Sequence, residues 1–347
     1  MTATRVPTLA DFEQARTNVR QVAIETPILH SNFLSQLTGH EVYLKAENLQ
    51  RTGAYKLRGA FNRMSKLTKD ERKKGVVAAS AGNHAQGVAL AAKKLGIKAT
   101  IFMPVGASLP KYNATKNYGA NVVLEGAVFG ETLVAAKAYA EKKGAIFIPP
   151  YDNLDVVIGQ GTVGLEILDQ VDDVQTIIVS IGGGGLAAGV AVAAKLTAKA
   201  RGKKIQVIGV QAENAASYVP SLRAGKPVQI DTRPTIADGI AVAKPGRIPF
   251  ELIAANIDTL WDATSGMYLA ATTLNNQIDI NGSAMASYFG LASSSKKTAI
   301  AAYLSANYNW LFNSNGYVRQ SPKQWASVWG PTIYDDYMWS WGNYYVL

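Results

Sequence analysis

Up to about residue 257, the hydrophobic positions of the chain follow two alternating periodicities. Helical spacing predicts a helix from Thr8 to Ala23 with Thr8 as its N-cap, and apolar residues at every second position predict a strand over residues 42–46. Further predicted strands are residues 75–80, 97–103, 121–124, 145–148, 176–181 and 205–210. The predicted helices are residues 84–95, 109–118, 131–143 and 186–198. This alternation predicts an α/β fold, and the Val- and Ile-rich strands suit parallel sheets that are buried on both faces.

The pattern changes near residue 258. All six tryptophans and nine of the sixteen tyrosines follow that point, but only four of the thirty-five Lys and Arg residues do. Stretches such as residues 261–266 and 325–331 show no clear alternation of strand and helix. Residues 258–347 are therefore a different, aromatic-rich kind of sequence: a separate module, a replaced segment or an altered reading frame.

Composition narrows the classes of function. The chain has 347 residues, 48% hydrophobic and 17% charged, which is a globular profile. It contains no cysteine and three histidines, so disulfides and cysteine nucleophiles are excluded and no metal site is expected. The net charge of +10 is scattered in short clusters. That distribution favours solvated helix ends over nucleic-acid binding, and it gives weak support to an anionic ligand.

Two features bear on localisation. The N-terminus lacks a basic segment followed by an apolar one, as a signal peptide would have. The uncharged run of residues 176–194 is nearly long enough to span a membrane, but its four consecutive glycines favour a strand, a turn and a buried helix. We therefore expect a soluble, cytoplasmic protein without a membrane partner.

The first of three stretches with candidate chemistry is residues 52–59. Here Lys56 lies among apolar residues, soon after a glycine. Burial, or a nearby cation such as Arg58, would lower the pKa of its amine and make it a nucleophile toward an aldehyde cofactor. On this stretch alone, an ordinary surface lysine at the start of a helix is the better interpretation.

The other two stretches each lead from a predicted strand through glycine into a predicted helix. Residues 80–87 offer free N–H groups and a helix dipole, which suit a substrate carboxylate, or else form a capped turn without a ligand. Residues 180–186 contain four glycines whose amides suit a phosphate, or else form a dinucleotide-binding or purely structural turn. NAD binding is disfavoured because the next candidate ribose ligand, Glu213, comes too late. Together the three stretches suit an amino acid that reacts on pyridoxal phosphate.

The order of these stretches and their amino-acid sequences resemble the fold type II pyridoxal-phosphate family, and specifically threonine dehydratases, over about residues 5–257. The shared stretches are residues 26–29, 44–50, 54–60, 80–87, 182–186 and 235–242. The resemblance implies a large cofactor-binding domain, residues 1–49 and 150–257, and a smaller α/β domain, residues 50–149, with the site in the cleft between them. It also implies a homo-oligomer that acts in amino-acid metabolism, such as isoleucine biosynthesis.

The same resemblance implies roles for individual residues. Lys56 would form the Schiff base with pyridoxal phosphate and act as the catalytic base, and Asn83 would contact the phenolic oxygen of the cofactor. The cofactor phosphate would be held by Gly182, Gly183, Gly184, Gly185 and Leu186. The carboxylate of a small amino-acid substrate would be held by Ser80, Ala81, Gly82, Asn83 and His84.

The reaction that the resemblance implies is an elimination. Lys56 would remove the α-proton of threonine, and the β-hydroxyl would leave as water with a proton from the cofactor phosphate. The released enamine would then be hydrolysed by water to 2-oxobutanoate and ammonia. Serine would give pyruvate. Related serine racemases carry a serine as second base at the position of Ala81, so dehydration is favoured here over racemisation.

Residues 258–347 depart from the family pattern. The family continues with an acidic helix, a Glu-Gly-Ala-Gly or Glu-Pro-Ala-Gly stretch, and a strand ending in Ser-Gly-Gly-Asn, whose serine faces the pyridine nitrogen. Ser265 with Gly266 and Gly282 with Ser283 match that motif only superficially. Residues 309–317 are weakly similar to aromatic cell-wall-binding repeats, and an aromatic loop packed on the core explains them at least as well.

Three interpretations of the whole chain stay open at this point. The first is an active dehydratase, with a serine racemase as its close variant. The second is a binding or structural protein whose dehydratase-like pocket is incomplete because the C-terminal part is replaced. The third, an NAD-dependent oxidoreductase, is more remote.

Overall fold

The structure, a computed structural model, describes residues 4–257 and two short strands beyond them. The helices are α1 (Leu9–Val19), α2 (Asn32–Thr38), α3 (Lys56–Ser65), α4 (Lys69–Lys74), α5 (Asn83–Leu95), α6 (Leu109–Asn117), α7 (Phe129–Lys143), α8 (Leu154–Gln170), α9 (Gly185–Ala200), α10 (Tyr218–Ala224) and α11 (Arg247–Asn256). The strands are β1 (Ile28–His30), β2 (Tyr43–Lys45), β3 (Val76–Ala79), β4 (Ala99–Met103), β5 (Asn121–Leu124), β6 (Ile146–Phe147), β7 (Thr176–Ser180), β8 (Gln206–Val210), β9 (Trp261–Asp262) and β10 (Met267–Tyr268). Short 3-10 helices lie at Glu47–Leu49, Glu213–Ala215 and Asp238–Ile240.

The predicted α/β fold with parallel sheets is confirmed. A four-stranded parallel sheet has the order β5-β4-β3-β6, and β7 pairs in parallel with β8. Two antiparallel pairs, β1 with β2 and β9 with β10, complete the pairing of the described strands. Ser80 follows directly after β3, and Ile181 follows directly after β7. The two predicted anion-binding turns therefore both start at the carboxyl end of a parallel strand, where α/β proteins commonly bind ligands.

The four-stranded sheet is covered by helices on both faces. Side chains alternate between the two faces of a strand, so Val76 and Ala78 pack with α3 and α5 on one face. Val77 and Ala79 pack with α7 on the other face. All four residues are buried, which explains why the strand reads as a continuous apolar run.

A second core surrounds α8 and α9, which pack against each other together with α1 and α11. Glycines allow the close approach of the two central helices. A methyl group built on Gly161 would lie 2.7 Å from the carbonyl oxygen of Gly189, and one built on Gly164 would lie 3.0 Å from that of Val190. Larger side chains at these points would push the helices apart.

Every predicted element of the first 257 residues is present, with ends that agree within two residues except for α1. Thr8 caps α1 through a reciprocal capping box with Asp11, but the helix ends at Val19 rather than at Ala23. Several helices were not predicted, among them α3 and the long α8. Residues 176–194 divide into β7, a glycine turn and the first part of α9, as expected.

Within the described part of the chain, no helix is long and apolar enough to cross a membrane. The expected division into residues 1–49 with 150–257 and residues 50–149 stays a prediction. Apart from β9 and β10, the aromatic-rich segment of residues 258–347 lies outside the described residues. So do Ser265 with Gly266, Gly282 with Ser283, and residues 309–317.

Candidate active site

Lys56 is the first residue of α3 and is partly buried. Its Nζ donates a hydrogen bond to the carbonyl oxygen of Pro150 at 3.1 Å and lies 5.3 Å from the centre of the Tyr55 ring. Burial lowers the pKa of Lys56 to about 8, because the charged amine loses hydration while the neutral amine loses little. The amine is thus available as a nucleophile or a base closer to neutral pH than an ordinary lysine.

Burial, and not Arg58, lowers the pKa of Lys56. The sequence left both causes open. The guanidinium of Arg58 is fully buried, but it binds the carboxylates of Glu47 and Glu166 at 2.7 and 2.6 Å. Its charge is neutralised within this pairing, so it leaves the Lys56 amine to its apolar surroundings.

Arg58 belongs to a buried charge network of two cations and two anions. The ammonium of Lys45 lies 2.7 Å from Glu166, and Thr26 donates a hydrogen bond to Glu47. The network joins β2, the 3-10 helix after it, α3 and α8. It gives a structural reason for two stretches of the family resemblance, residues 26–29 and 44–50, and it fixes the first turn of α3, which carries the nucleophile candidate.

The turn from β3 into α5 presents backbone donors. The hydroxyl of Ser80 accepts a hydrogen bond from the N–H of Gly82 at 3.1 Å. Gly82 is the N-cap of α5, and no side chain caps the helix. The first N–H groups of an α-helix have no intrahelical acceptor, and the helix dipole adds positive potential there. Ala81 and Asn83, both half-buried, lie on either side of Gly82 in this turn.

His84 connects α5 to the end of β6. It is buried, and its Nε2 lies 2.9 Å from the carbonyl oxygen of Ile148. A carbonyl only accepts, so Nε2 carries the proton, and Nδ1 is left without a partner among the described residues. Burial first, and the charge of Lys56 second, lower the pKa of His84 to about 3. The imidazole is therefore neutral, and it lies close enough to Lys56 for the two groups to interact electrostatically.

The turn from β7 into α9 is formed by residues 182–186. Gly184 has a φ of +95°, a backbone conformation that favours glycine, and α9 begins without a side-chain cap. A methyl group on Gly184 would collide with the hydroxyl of Tyr218, and one on Gly183 would collide with the Tyr151 ring. Leu186 is buried in the core, so only its N–H is available to a ligand.

The segment that follows β6 joins these features, and the sequence interpretation missed it. Its carbonyls bind both buried side chains: Ile148 accepts from His84, and Pro150 accepts from Lys56. Pro149 and Pro150 have fixed φ angles and no N–H groups, so this connection is stiff. The consecutive prolines after a predicted strand were the available signal.

Tyr151, the next residue, brings the segment to the glycine turn. Methyl groups built on Gly183 and Gly185 would both meet Tyr151. A methyl group on Gly182 would lie 2.9 Å from the Cα atom of Ile240, which belongs to the resemblance stretch of residues 235–242. Lys56 and the glycine turn thus contact consecutive residues, 150 and 151. The structure brings together all three stretches that the sequence singled out.

The arrangement matches a known family. Residues 19–311 match the family model described as "Pyridoxal-phosphate dependent enzyme", which is well over half of the chain. The chain belongs to the pyridoxal-phosphate-dependent enzyme family. The resemblance to the fold type II members of this family is thereby confirmed.

Two curated relatives carry threonine in their names. The chain is 49% identical over 253 residues to L-threonine ammonia-lyase of Thermotoga maritima, an alignment that covers 73% of this chain and 62% of that enzyme. It is 45% identical over 250 residues to the catabolic L-threonine dehydratase TdcB of Escherichia coli K12, covering 72% of this chain and 75% of the relative. The chain therefore spans less than two thirds of the length of the Thermotoga enzyme.

Solved structures of the family have the same fold. The processed form of threonine deaminase isoform 2 from Solanum lycopersicum superimposes with a TM-score of 0.70 at 37% identity, covering 86% of this chain and 84% of that one. Serine racemase from Dictyostelium discoideum gives a TM-score of 0.67 at 35% identity, covering 73% of this chain and 80% of that one. The fold is therefore shared by family members with different named activities.

The residues of the site fit pyridoxal phosphate. An aldehyde cofactor needs an amine with a lowered pKa, which Lys56 supplies. Its phosphate needs several backbone donors, and the start of α9, which has no side-chain cap and begins at the last of four consecutive glycines, supplies them. A methyl group on Gly183 would collide with Tyr151 and one on Gly184 with Tyr218, so the turn packs against both tyrosines only because these positions are glycine.

Proposed function

We propose that this chain is a pyridoxal-phosphate-dependent ammonia-lyase that converts L-threonine into 2-oxobutanoate and ammonia, and L-serine into pyruvate and ammonia. The observation that carries the proposal is the partly buried amine of Lys56, which has a pKa lowered to about 8 and donates a hydrogen bond to Pro150, next to the residue that contacts the glycine turn. The names of the curated relatives support the choice of threonine.

Lys56 would have two tasks. It would carry the aldehyde carbon of the cofactor, and as a free amine it would accept the α-proton of the substrate at Nζ. Bound pyridoxal phosphate would supply an electron-withdrawing ring that stabilises negative charge at the substrate α-carbon. A pKa of about 8 suits the proton transfer, since a general base is most effective when its pKa lies near the working pH.

The two turns would hold the charged groups. Residues 182–186 would bind the cofactor phosphate through backbone N–H groups, and Asn83 would donate a hydrogen bond to its phenolic oxygen. Residues 80–84 would bind the substrate carboxylate through the first N–H groups of α5. Helix N-termini favour anions by their dipole as well as by their donors, so each turn matches the charge of its proposed ligand.

Serine racemisation is the second candidate, and the likeness to the Dictyostelium racemase is the observation in its favour. Racemisation requires a second base on the opposite face of the substrate. Ala81, at the position where racemases carry a serine, has no group that can take or give a proton. We therefore favour elimination over racemisation.

The name of one relative bears on the place of the reaction in metabolism. The Escherichia coli relative is called catabolic, so its name gives no support to the expected link with isoleucine biosynthesis. A cytoplasmic location and a homo-oligomeric state stay predictions.

The test is product formation by the purified full-length chain loaded with pyridoxal phosphate. We expect keto acid and ammonia to be released in equal amounts from L-threonine or L-serine. The Lys56→Ala variant should lose at least about a thousand-fold in rate, because it lacks both the cofactor link and the base. Release of D-serine in place of pyruvate would favour the racemase, and no turnover by protein that binds the cofactor would favour a binding or structural role.

A further inference from the structure

Lys111, on α6, lies over the turn at the start of α5. A methyl group built on Gly82 would lie 3.5 Å from the Cδ atom of Lys111 and 3.6 Å from its Nζ. Gly82 is the N-cap of α5 and the centre of the turn that we assign to the substrate carboxylate. The ammonium of a different helix therefore lies next to the turn that presents the backbone donors of α5.

Asp238 is a second neighbour of the Lys111 amine. The distance from Lys111 Nζ to Asp238 Oδ2 is 3.6 Å, and the two side chains are 39% and 57% exposed. Asp238 starts a 3-10 helix whose last residue, Ile240, packs against Gly182. Lys111 thus contacts both the turn of residues 80–84 and the 3-10 helix that packs against the glycine turn of residues 182–186.

The pairing of Lys111 with Asp238 is weak by its geometry. The separation is longer than that of a charge-assisted hydrogen bond, and water reaches both groups. Ion pairs of this kind contribute little to stability. Another carboxylate that approaches the turn can therefore replace Asp238 as the partner of Lys111 at small cost. It would gain both the backbone donors of α5 and a full positive charge.

We propose that Lys111 is a substrate-binding residue that pairs with the α-carboxylate of the amino acid and exchanges its contact with Asp238 for one with the substrate. The inference rests on the proposed function and deepens it, because it assigns to one side chain the selection of substrates with a free α-carboxylate. Amino-acid amides and esters lack the second charge and are expected to be poor substrates.

Steady-state kinetics of the loaded full-length enzyme provide the first test. In Lys111→Gln we expect KM for L-threonine to rise about tenfold, which corresponds to ~1.4 kcal/mol, while kcat changes less than about twofold. Lys111→Arg should recover most of the loss because it keeps the charge. Lys116→Gln is the matched control: it removes the same charge from the same helix, and its Nζ lies instead over the Tyr112 ring at 5.9 Å.

A pair of ligands separates carboxylate binding from general damage to the site. L-2-Aminobutyrate has the carboxylate but no hydroxyl to eliminate, and L-threoninamide has an uncharged amide in place of the carboxylate. By calorimetry, Lys111→Gln should weaken binding of the first about tenfold and leave the second within about twofold. Equal weakening of both ligands, or weakening of neither, would overturn the proposal.

The same design separates this inference from the proposed function. If the loaded wild-type enzyme releases no ammonia from threonine or serine, the proposed function fails. Binding of L-2-aminobutyrate requires no turnover, so its loss in Lys111→Gln, with binding intact in Lys116→Gln, still supports Lys111 as the carboxylate ligand. Thermal unfolding of both variants should match the wild type, since both lysines are partly or largely exposed.

Discussion

Burial lowers the pKa of both Lys45 and Lys56, but among the described residues only Lys45 has carboxylate partners that oppose the loss of its proton. The ammonium of Lys45 binds the carboxylate of Glu166 at 2.7 Å and the carbonyl of Thr26. Lys56 has the carbonyl of Pro150 as its partner and no carboxylate among the described residues. A neighbouring anion holds an amine in its charged form, whereas burial without one releases the proton. The difference in partners therefore makes Lys56, rather than Lys45, the candidate for chemistry.

A direct consequence concerns the pH at which Lys56 reacts. In cofactor-free protein, we expect acylation of Lys56 by an amine-specific reagent to rise with pH around a midpoint of about 8, because the neutral form reacts and burial lowers the pKa. Ordinary lysines titrate near ~10.4. Pulse labelling across pH, read by peptide mass spectrometry, measures the midpoint. A midpoint close to that of ordinary lysines would show that the amine is solvated or paired with a carboxylate.

At the same scale, the sequence indicated the candidate residues of the site but not the hydrogen bonds that connect them. The turns of residues 80–84 and 182–186 stand out by their glycines after a predicted strand, whereas Lys56 was singled out by the three stretches together and by the family resemblance. His84, Ile148 and Pro150 are joined by hydrogen bonds between groups far apart in sequence, and no local pattern encodes such a pairing. The cause of the lowered pKa also needed the structure, because Arg58 is adjacent in sequence but engaged elsewhere.

At the scale of elements, α3 is held against α8 by a close glycine contact. A methyl group on Gly159 would lie 2.7 Å from the Cα atom of Gly59 and 2.8 Å from the carbonyl oxygen of Arg58. The N–H of Gly59 also binds the side chain of Gln160 at 3.0 Å. The helix that presents Lys56 is thus positioned by backbone contacts that leave no room for a side chain.

Gly159→Ala should destabilise the protein by about 1–3 kcal/mol, because the two backbones would have to separate. The matched control is Gly130→Ala in α7, where a methyl group would meet nothing within 4 Å. That change should be neutral or stabilising by about 0.5 kcal/mol, since alanine favours the helix. Urea unfolding measures both. Equal effects at the two positions would refute the close helix contact.

The buried charge network gives a second prediction for the same helix. Arg58→Met removes the cation that Glu47 and Glu166 share, and leaving buried carboxylates unpaired should cost about 3–5 kcal/mol in unfolding free energy. Lys73→Met, which breaks the exposed pair with Asp70, should leave the unfolding curve unchanged within error. A loss no larger for Arg58→Met than for Lys73→Met would mean that the network is not buried as described.

Sequence patterning predicted most strands and several helices of the described chain but missed β1 and helices such as α3, and for α8 the failure has a physical reason. Almost every residue of α8 from Val156 to Leu168 is buried, so no polar face marks a helical period. Gly159, Gly161 and Gly164 also reduce its helix propensity. The close packing of α8 against its neighbouring helices requires those glycines. A sequence pattern cannot reveal that requirement before the neighbouring helices are known.

At the scale of the whole molecule, the connection from β6 to α8 links the two main cores. It carries Ile148 and Pro150, which bind His84 and Lys56, and then Tyr151, which packs on the glycine turn. A cofactor bound simultaneously to Lys56 and to the glycine turn would therefore link the two elements that contact this connection. We expect cofactor binding to stabilise the chain as a whole rather than one element.

This expectation has a measurable size. Ligand that binds only the folded state at a hundred times its Kd adds ~2.7 kcal/mol of stability, so pyridoxal phosphate should raise Tm by several degrees. Pyridoxal, which lacks the phosphate, should give a clearly smaller shift at the same concentration because it forgoes the donors of the glycine turn. Equal shifts with both compounds would remove residues 182–186 as the phosphate site.

The most direct test of the central claim is the position at which the cofactor attaches. The full-length protein, incubated with pyridoxal phosphate and reduced with borohydride, is digested and mapped by mass spectrometry. We predict one labelled peptide, with the modification on Lys56, and no label above background on the exposed Lys116 or on the buried Lys45. Label spread over exposed lysines, or a single label on a lysine other than Lys56, would contradict the assignment of the active site.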